Sequence, residues 1–273
     1  MSTDFLATCE DAARAGAAEL LRWRDRFSAQ EKGPSDLVTQ ADLASQEAIR
    51  KLLLGRFPEH AFLGEEGSAV VDYSQAYCWV VDPLDGTTNY VHRIPHYAVS
   101  IALLKDGRPI VATVFDPINQ ECFTARAGSG ATLNGVRIST SRVERLREAV
   151  VAASFSALID PKSPEIEQFI QMLLSAQGVR RTGSAALNLC YVACGRFDAF
   201  WALSTKAWDV AAGQLLVEEA GGVVTHCTGN AFDLRLPHPA ASATSSLHDQ
   251  FLALLNSVSG ANGTNARVEP ATG

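Results

Sequence analysis

The sequence predicts a mixed α/β (α+β) protein, one layered body in which helices lie between sheets. Three observations carry this reading. Two apolar periods of helical spacing fill roughly the first fifty residues, short strands with tight turns run from 61 to 127, and helices and strands alternate from 149 onward. Of the 273 residues, 47% are hydrophobic, enough for a sizeable core.

In order, residues 5–27 are rich in Ala, Leu and Arg at helical spacing and read as the first helix. Gly33-Pro34-Ser35-Asp36 breaks the pattern, with Lys32 expected at the surface beside it. Thr39 or Asp42 then caps a second helix, with Ala41, Ala44, Ala48, Ile49, Leu52 and Leu53 on its inner face. Ala61–Gly64 and residues 77–82 read as buried strands that end in acidic residues. Strands at 97–105 and 108–115 flank Asp106-Gly107, a hairpin signal, and 121–125 adds a third, giving an antiparallel meander.

Beyond about residue 145 the pattern becomes α/β. Strands are expected at 149–154, 179–182, 197–202, 222–225 and 240–244, and helices at 165–176, 184–194, 208–220 and 247–255. Residues 1–256 thus read as a single domain. Residues 257–273 lack an apolar period and are expected to form a disordered tail.

Charge and composition exclude several roles. With 23 Lys+Arg against 30 Asp+Glu the net charge is −7, and no basic cluster is present, which argues against a nucleic-acid partner. No apolar run approaches the roughly 20 residues that span a bilayer. The start, Met1-Ser2-Thr3-Asp4, lacks a basic stretch leading into an apolar one, so a cytoplasmic protein without membrane attachment is expected. The six cysteines form no C-x-x-C pair and read as reduced core thiols. His92 and His96 are four apart, but Pro95 between them opposes the helix that would align them on a metal.

The informative residues are carboxylates in apolar surroundings. Asp82-Pro83-Leu84-Asp85-Gly86-Thr87 follows the core strand Trp79-Val80-Val81. Charges at the end of a buried strand are costly unless paired or bound to metal. Two Asp bent around a Pro can aim both carboxylates and a carbonyl at one point, while Gly86 and Thr87 offer backbone N–H groups to an anion. Glu65-Glu66 likewise closes a short apolar strand, and Asp209 opens a helix of small residues. All-oxygen sites of this kind favour Mg²⁺ or Mn²⁺ over zinc. Together the three segments point to metal-assisted phosphoryl transfer.

Gly64-Glu65-Glu66, Trp79 through Pro95, and Trp208-Asp209-Val210-Ala211-Ala212-Gly213 resemble the motifs of the inositol monophosphatase family, lithium-sensitive Mg²⁺-dependent phosphomonoesterases. The resemblance extends from the first helix to about residue 256. It implies an αβαβα layered sandwich, usually a homodimer. It further implies hydrolysis of inositol 1-phosphate, or a related small polyol or sugar phosphate, by metal-activated water. Histidinol-phosphate phosphatase or fructose-1,6-bisphosphatase activity is the alternative, and a non-catalytic regulatory binding protein is a third reading.

The resemblance also implies residue roles. Glu65, Asp82 and the Leu84 carbonyl hold a first Mg²⁺; Asp82, Asp85 and Asp209 hold a second; Glu65 reaches a weaker third, and Mn²⁺ can substitute. Two such ions about 4 Å apart clamp a phosphate and orient the attacking water. Thr87 hydrogen-bonds that water and Asp42 orients the pair, with Glu65 or Glu66 assisting. The amides of Gly86 and Thr87 bind phosphate; Asp85, Asp209 and Gly183-Ser184-Ala185 hold the substrate's hydroxyls; Lys32 belongs to a mobile loop that closes over the site. One position departs from the pattern. Ala202 stands where inositol-preferring members carry a glutamate, so inositol itself is not the expected preference.

Overall fold

The computed structural model describes residues 4–33, 36–67, 76–155 and 159–261. The chain begins with α1 (Phe5–Trp23), β1 (Ala29–Gly33), β2 (Asp36–Thr39), α2 (Gln40–Arg56), β3 (Ala61–Gly64), β4 (Tyr77–Asp85) and α3 (Thr87–Val91). A meander follows: β5 (Ala98–Lys105), β6 (Arg108–Asp116), β7 (Glu121–Arg126), β8 (Gly130–Leu133) and β9 (Val136–Arg137). The second half comprises β10 (Val150–Ser154), α4 (Pro164–Ser175), β11 (Gly178–Arg180), α5 (Ala185–Ala193), β12 (Ala199–Ala202), α6 (Ala207–Glu219), β13 (Val223–His226), β14 (Pro239–Ser242) and α7 (Ser245–Ala261).

Strands β3 to β9 form one sheet in sequence order, and five others form a second in the order β11-β10-β12-β14-β13. Side-chain alternation explains why these sheets stack with helices between them. In β4, Cys78 and Val80 join the central core with α5 and α6, whereas Trp79 and Val81 pack against α1 and α2. In β12, Phe200 and Ala202 face that same central layer, while Ala199 and Trp201 face α7. The result is five layers, α1/α2, large sheet, α5/α6, small sheet, α4/α7, as the αβαβα expectation requires. No helix among the described residues is long and apolar enough to cross a membrane. All six cysteines are free, and five of them are buried.

Several sequence expectations need correction. The first helix ends at Trp23, not 27; the chain turns through Arg24, Asp25 and Arg26, and Phe27 packs its ring 5.1 Å from that of Tyr90. Lys32 lies in β1 of a two-stranded hairpin, at an irregularity of register between Glu31 and Gly33, rather than in an open loop. Pro34 and Ser35 lie outside the described residues. The meander is antiparallel from β4 to β9, but β3 joins β4 in parallel. Strands β8 and β9 were not anticipated, although Asn134-Gly135, both at positive φ, carries a hairpin signature. Helix α7 continues to Ala261, so 257–261 are helical; 262–273, the rest of the expected tail, lie outside the described residues.

Candidate active site

The irregular end of β4 builds the centre of the site. Asp82 pairs with Ser100 of β5 and Asp85 with Ala98, so four residues of β4 oppose three of β5. On a regular strand, residues three apart face opposite sides. The extra residue of this bulge restores the parity. Leu84 accordingly packs on the α1/α2 side, while Asp85 turns inward and meets the start of α5. Pro83 has no N–H to leave unpaired there, and its carbonyl accepts from Ser45 Oγ of α2 at 2.9 Å.

Asp85 is 8% exposed and Asp82 2%. The Asp85 carboxylate accepts from Ser184 Oγ, from Ala186 N at 2.8 Å and from Ala185 N at 3.2 Å. It therefore caps the positive end of α5. Ser184 is itself the N-cap, accepting from Leu187 N at 3.2 Å. Being fully buried, it acts on the cleft through Asp85 and not as a lining residue. Asp209 stands in the first turn of α6, its Oδ2 accepting from Lys206 N at 2.8 Å.

Two more segments complete the centre. Glu65 and Glu66 follow β3, and Gln46 of α2 holds them by donating to the Glu66 carbonyl at 2.7 Å and accepting from Glu66 N at 2.9 Å. Gly64 permits this approach, since a Cβ there would sit 2.1 Å from Gln46 Oε1. Asp42 is fully buried within a capping box, its Oδ2 accepting from Thr39 N at 2.9 Å and Thr39 Oγ1 at 2.6 Å. Its Oδ1 lies 3.3 Å from Thr87 Oγ1, which is also 3.1 Å from the Leu84 carbonyl. Gly86, at φ +98°, makes the turn from β4 into α3.

Electrostatics sets this cluster apart. Burial pushes the Asp82 carboxyl well above the usual range, and the carboxylates of Glu65, Asp85 and Asp209 push it further. Burial also raises Asp209, and it raises Asp85 to about 6 against the hydrogen bonds from Ser184, Ala186 and Ala185. Burial lifts Asp42 to about 6. Four acidic groups from three segments thus share one field, which Lys206 relieves at Asp209; they form a donor set that fits hard divalent cations. Among the described residues no three Asp, Glu, His or Cys side chains converge closely enough to grip an ion. Asp82, Asp85 and Asp209 each turn an oxygen onto a backbone N–H, Asp82 onto Leu84 N at 2.9 Å. Mutual repulsion favours that arrangement until cations enter.

Asp85, Gly86, Thr87, Gly183, Ala185 and Asp209 line one cleft of about 790 Å³. Ala202, fully buried in the central layer, is not among its walls. The sequence reading overlooked Gln46, Asn89 and the far wall, where Phe155, Arg181 and Ser204 stand. Asn89 Nδ2 donates to the carbonyls of His96 at 2.7 Å and Thr182 at 2.9 Å, fixing the Gly183 loop against α3. Gln46 was detectable, lying four residues after Asp42 on the same helix face; the far wall had no local signal.

Comparison with known proteins agrees with this architecture. The model of the inositol monophosphatase family matches residues 2–259. The chain is 43% identical over 225 residues to the Nus factor SuhB of Pseudomonas aeruginosa, covering 81% of this chain and 83% of that protein. It is 43% identical over 199 residues to the inositol-1-monophosphatase of Rhizobium meliloti, covering 72% and 75%. The structure of the inositol monophosphatase from Anabaena superposes with a TM-score of 0.83 at 35% identity, over 93% of this chain and 95% of that one. With its five layers and its acidic cleft, the chain belongs to the inositol monophosphatase family, a family of phosphatases.

Proposed function

We propose that this chain is a Mg²⁺-dependent phosphomonoesterase acting on small polyol or sugar phosphates through a metal-activated water. The observation that carries the reading is Asp82, a buried carboxylate whose electrostatic neighbours are three more carboxylates. Glu65, Asp82 and the Leu84 carbonyl would hold one Mg²⁺, and Asp82, Asp85 and Asp209 another, with Glu65 shared toward a third. Bound there, the ions supply Lewis acidity and lower the pKa of water.

The chain's own groups do the rest. Thr87 holds the attacking water and passes its own proton toward Asp42, which is buried and anchored by Thr39. Glu65 or Glu66 assists. The amides of Gly86 and Thr87 take the phosphate oxygens, while Asp85, Asp209, Gly183 and Ala185 orient the alcohol, with Ser184 acting through Asp85. Lys32 of the β1–β2 hairpin closes over the cleft. The protein works as a cytoplasmic homodimer, and millimolar Li⁺ inhibits it.

The test is turnover of inositol 1-phosphate, histidinol phosphate, fructose 1,6-bisphosphate and 3′-phosphoadenosine phosphate with Mg²⁺. Hydrolysis of the inositol ester that EDTA abolishes supports the reading, and inactivity toward all four overturns it. The name Nus factor, carried by relatives 43% identical to this chain, favours a second reading in which the protein serves as a regulatory factor. On that reading the expected absence of nucleic-acid partners no longer follows from net charge alone.

A further inference from the structure

The cleft lining includes a cation that pairs with no carboxylate among the described residues. Arg181 follows β11, and its guanidinium carbon lies 5.2 Å from the centre of the Phe155 ring. That ring is held edge-on by Phe169, the centroids 5.4 Å apart. Among the described residues Arg181 makes no ion pair. Its backbone is nevertheless fixed. Arg180 before it ends a strand paired with β10, and Thr182 after it is gripped at its carbonyl by Asn89 and at its hydroxyl by Asn188, 2.7 Å away.

Arg181 and Phe155 line the same cleft as Asp85 and Asp209, yet the opposite charges do not pair. The open volume of the cleft, about 790 Å³, is what both charges face. Ala153, Ser154 and Ser204 of the same lining bear no charge. Glu165 stands behind them, 4% exposed, with Ser204 Oγ 3.5 Å from its Oε1. A bare polyol is best held by acceptors for its hydroxyls, and Ala202 supplies none. A guanidinium lying on an aromatic face keeps its N–H edge free for two acceptor oxygens of one anion.

We propose that Arg181 is a specificity-determining residue that binds a second anionic group, carboxylate or phosphate, at the far end of the phosphate ester being hydrolysed. This rests on the phosphatase reading, and it places the favoured substrates among esters with charge at both ends. Esters ending in hydroxyls bind without the Arg181 contact.

The experiment compares kcat/KM with Mg²⁺ for glycerol 2-phosphate and inositol 1-phosphate, uncharged at the far end, against 6-phosphogluconate and inositol 1,4-bisphosphate. The wild type is expected to favour the doubly charged esters at least tenfold, mainly through KM. Arg181→Gln should cut that ratio at least tenfold, and Arg181→Lys should restore part of it. Preference for one of the charged esters identifies the anion. A wild-type ratio near one, or an equal ratio in Arg181→Gln, overturns the proposal. If no ester is turned over, the phosphatase reading fails and calorimetric affinity decides the subsite. Tighter binding of 6-phosphogluconate than of glycerol 2-phosphate, lost in Arg181→Gln, supports it; equal binding by both proteins overturns it.

Discussion

Thr87 and Asp42, 45 residues apart in the chain, meet with their oxygens 3.3 Å from each other, one at the first turn of α3 and the other buried in the first turn of α2. The contact joins the hydroxyl beside the bulge to an acid whose carboxyl burial has raised to about 6. An acceptor must be ionised, so turnover should rise with pH through about 6. Asp42→Asn should flatten that limb and lower kcat by about 10²–10⁴-fold, the usual range for a lost general base. A kcat–pH profile measured at saturating Mg²⁺ decides it; an unchanged limb in the variant removes Asp42 from the mechanism.

The raised carboxyls also fix the pH dependence of stability. Asp42 and Asp85 both sit at about 6 in the folded chain against an ordinary 3.8. Between those values the folded state binds more protons than the unfolded one, so metal-free stability falls as pH rises from about 4 to about 6. On the proposed function Mg²⁺ would bind the folded state and should reverse the loss. Thermal unfolding at pH 5 and pH 7, in EDTA and in Mg²⁺, reads both effects.

Asp82→Asn separates function from folding. The variant should lose hydrolysis entirely, yet in EDTA it should melt above the wild type, because a buried like charge has been removed. Turnover near the wild-type level would count against Asp82 as the shared ligand.

Asn89 works at a distance from the chemistry. Asn89→Ala deletes two donations to backbone carbonyls and should cost about 1–3 kcal/mol of stability. Because these bonds hold the loop that carries Gly183, KM should rise more than kcat falls. Denaturant titration together with steady-state kinetics tests the two halves of this statement.

Ala202 is buried outside the cleft and offers the substrate no polar group. With no carboxylate there to take ring hydroxyls, kcat/KM for inositol 1-phosphate and glycerol 2-phosphate should agree within about tenfold. A strong preference for the inositol ester would show that another group has taken over the role.

Much of this was legible in the sequence. Short unbroken apolar runs located β4, β5 and β6, with Asp106-Gly107 marking the turn between the last two, and the capping pattern at Thr39 and Asp42 located the start of α2, because these signals are local. The acidic segments were visible as charges placed where a core strand ends. The bulge between Asp82 and Asp85 was not visible, since register depends on the partner strand. The β1–β2 hairpin was hidden by Gly33 and Pro34, which mark a turn without revealing that its flanks pair. Arg181 and Phe155 lie 26 positions apart and meet only through the parallel pairing of β10 and β11, so nothing local announced the far wall.

The four-against-three register at the end of β4 limits how this chain can change. Loops elsewhere tolerate changes of length, but the stretch from Asp82 to Asp85 cannot gain or lose a single position. Deleting one residue would rotate the second aspartate toward the layer of α1 and α2, among Tyr97 and Val99, and present an aliphatic side chain to α5 in its place. Substitution can therefore tune the cleft's outer wall, while the spacing of its acidic centre stays frozen.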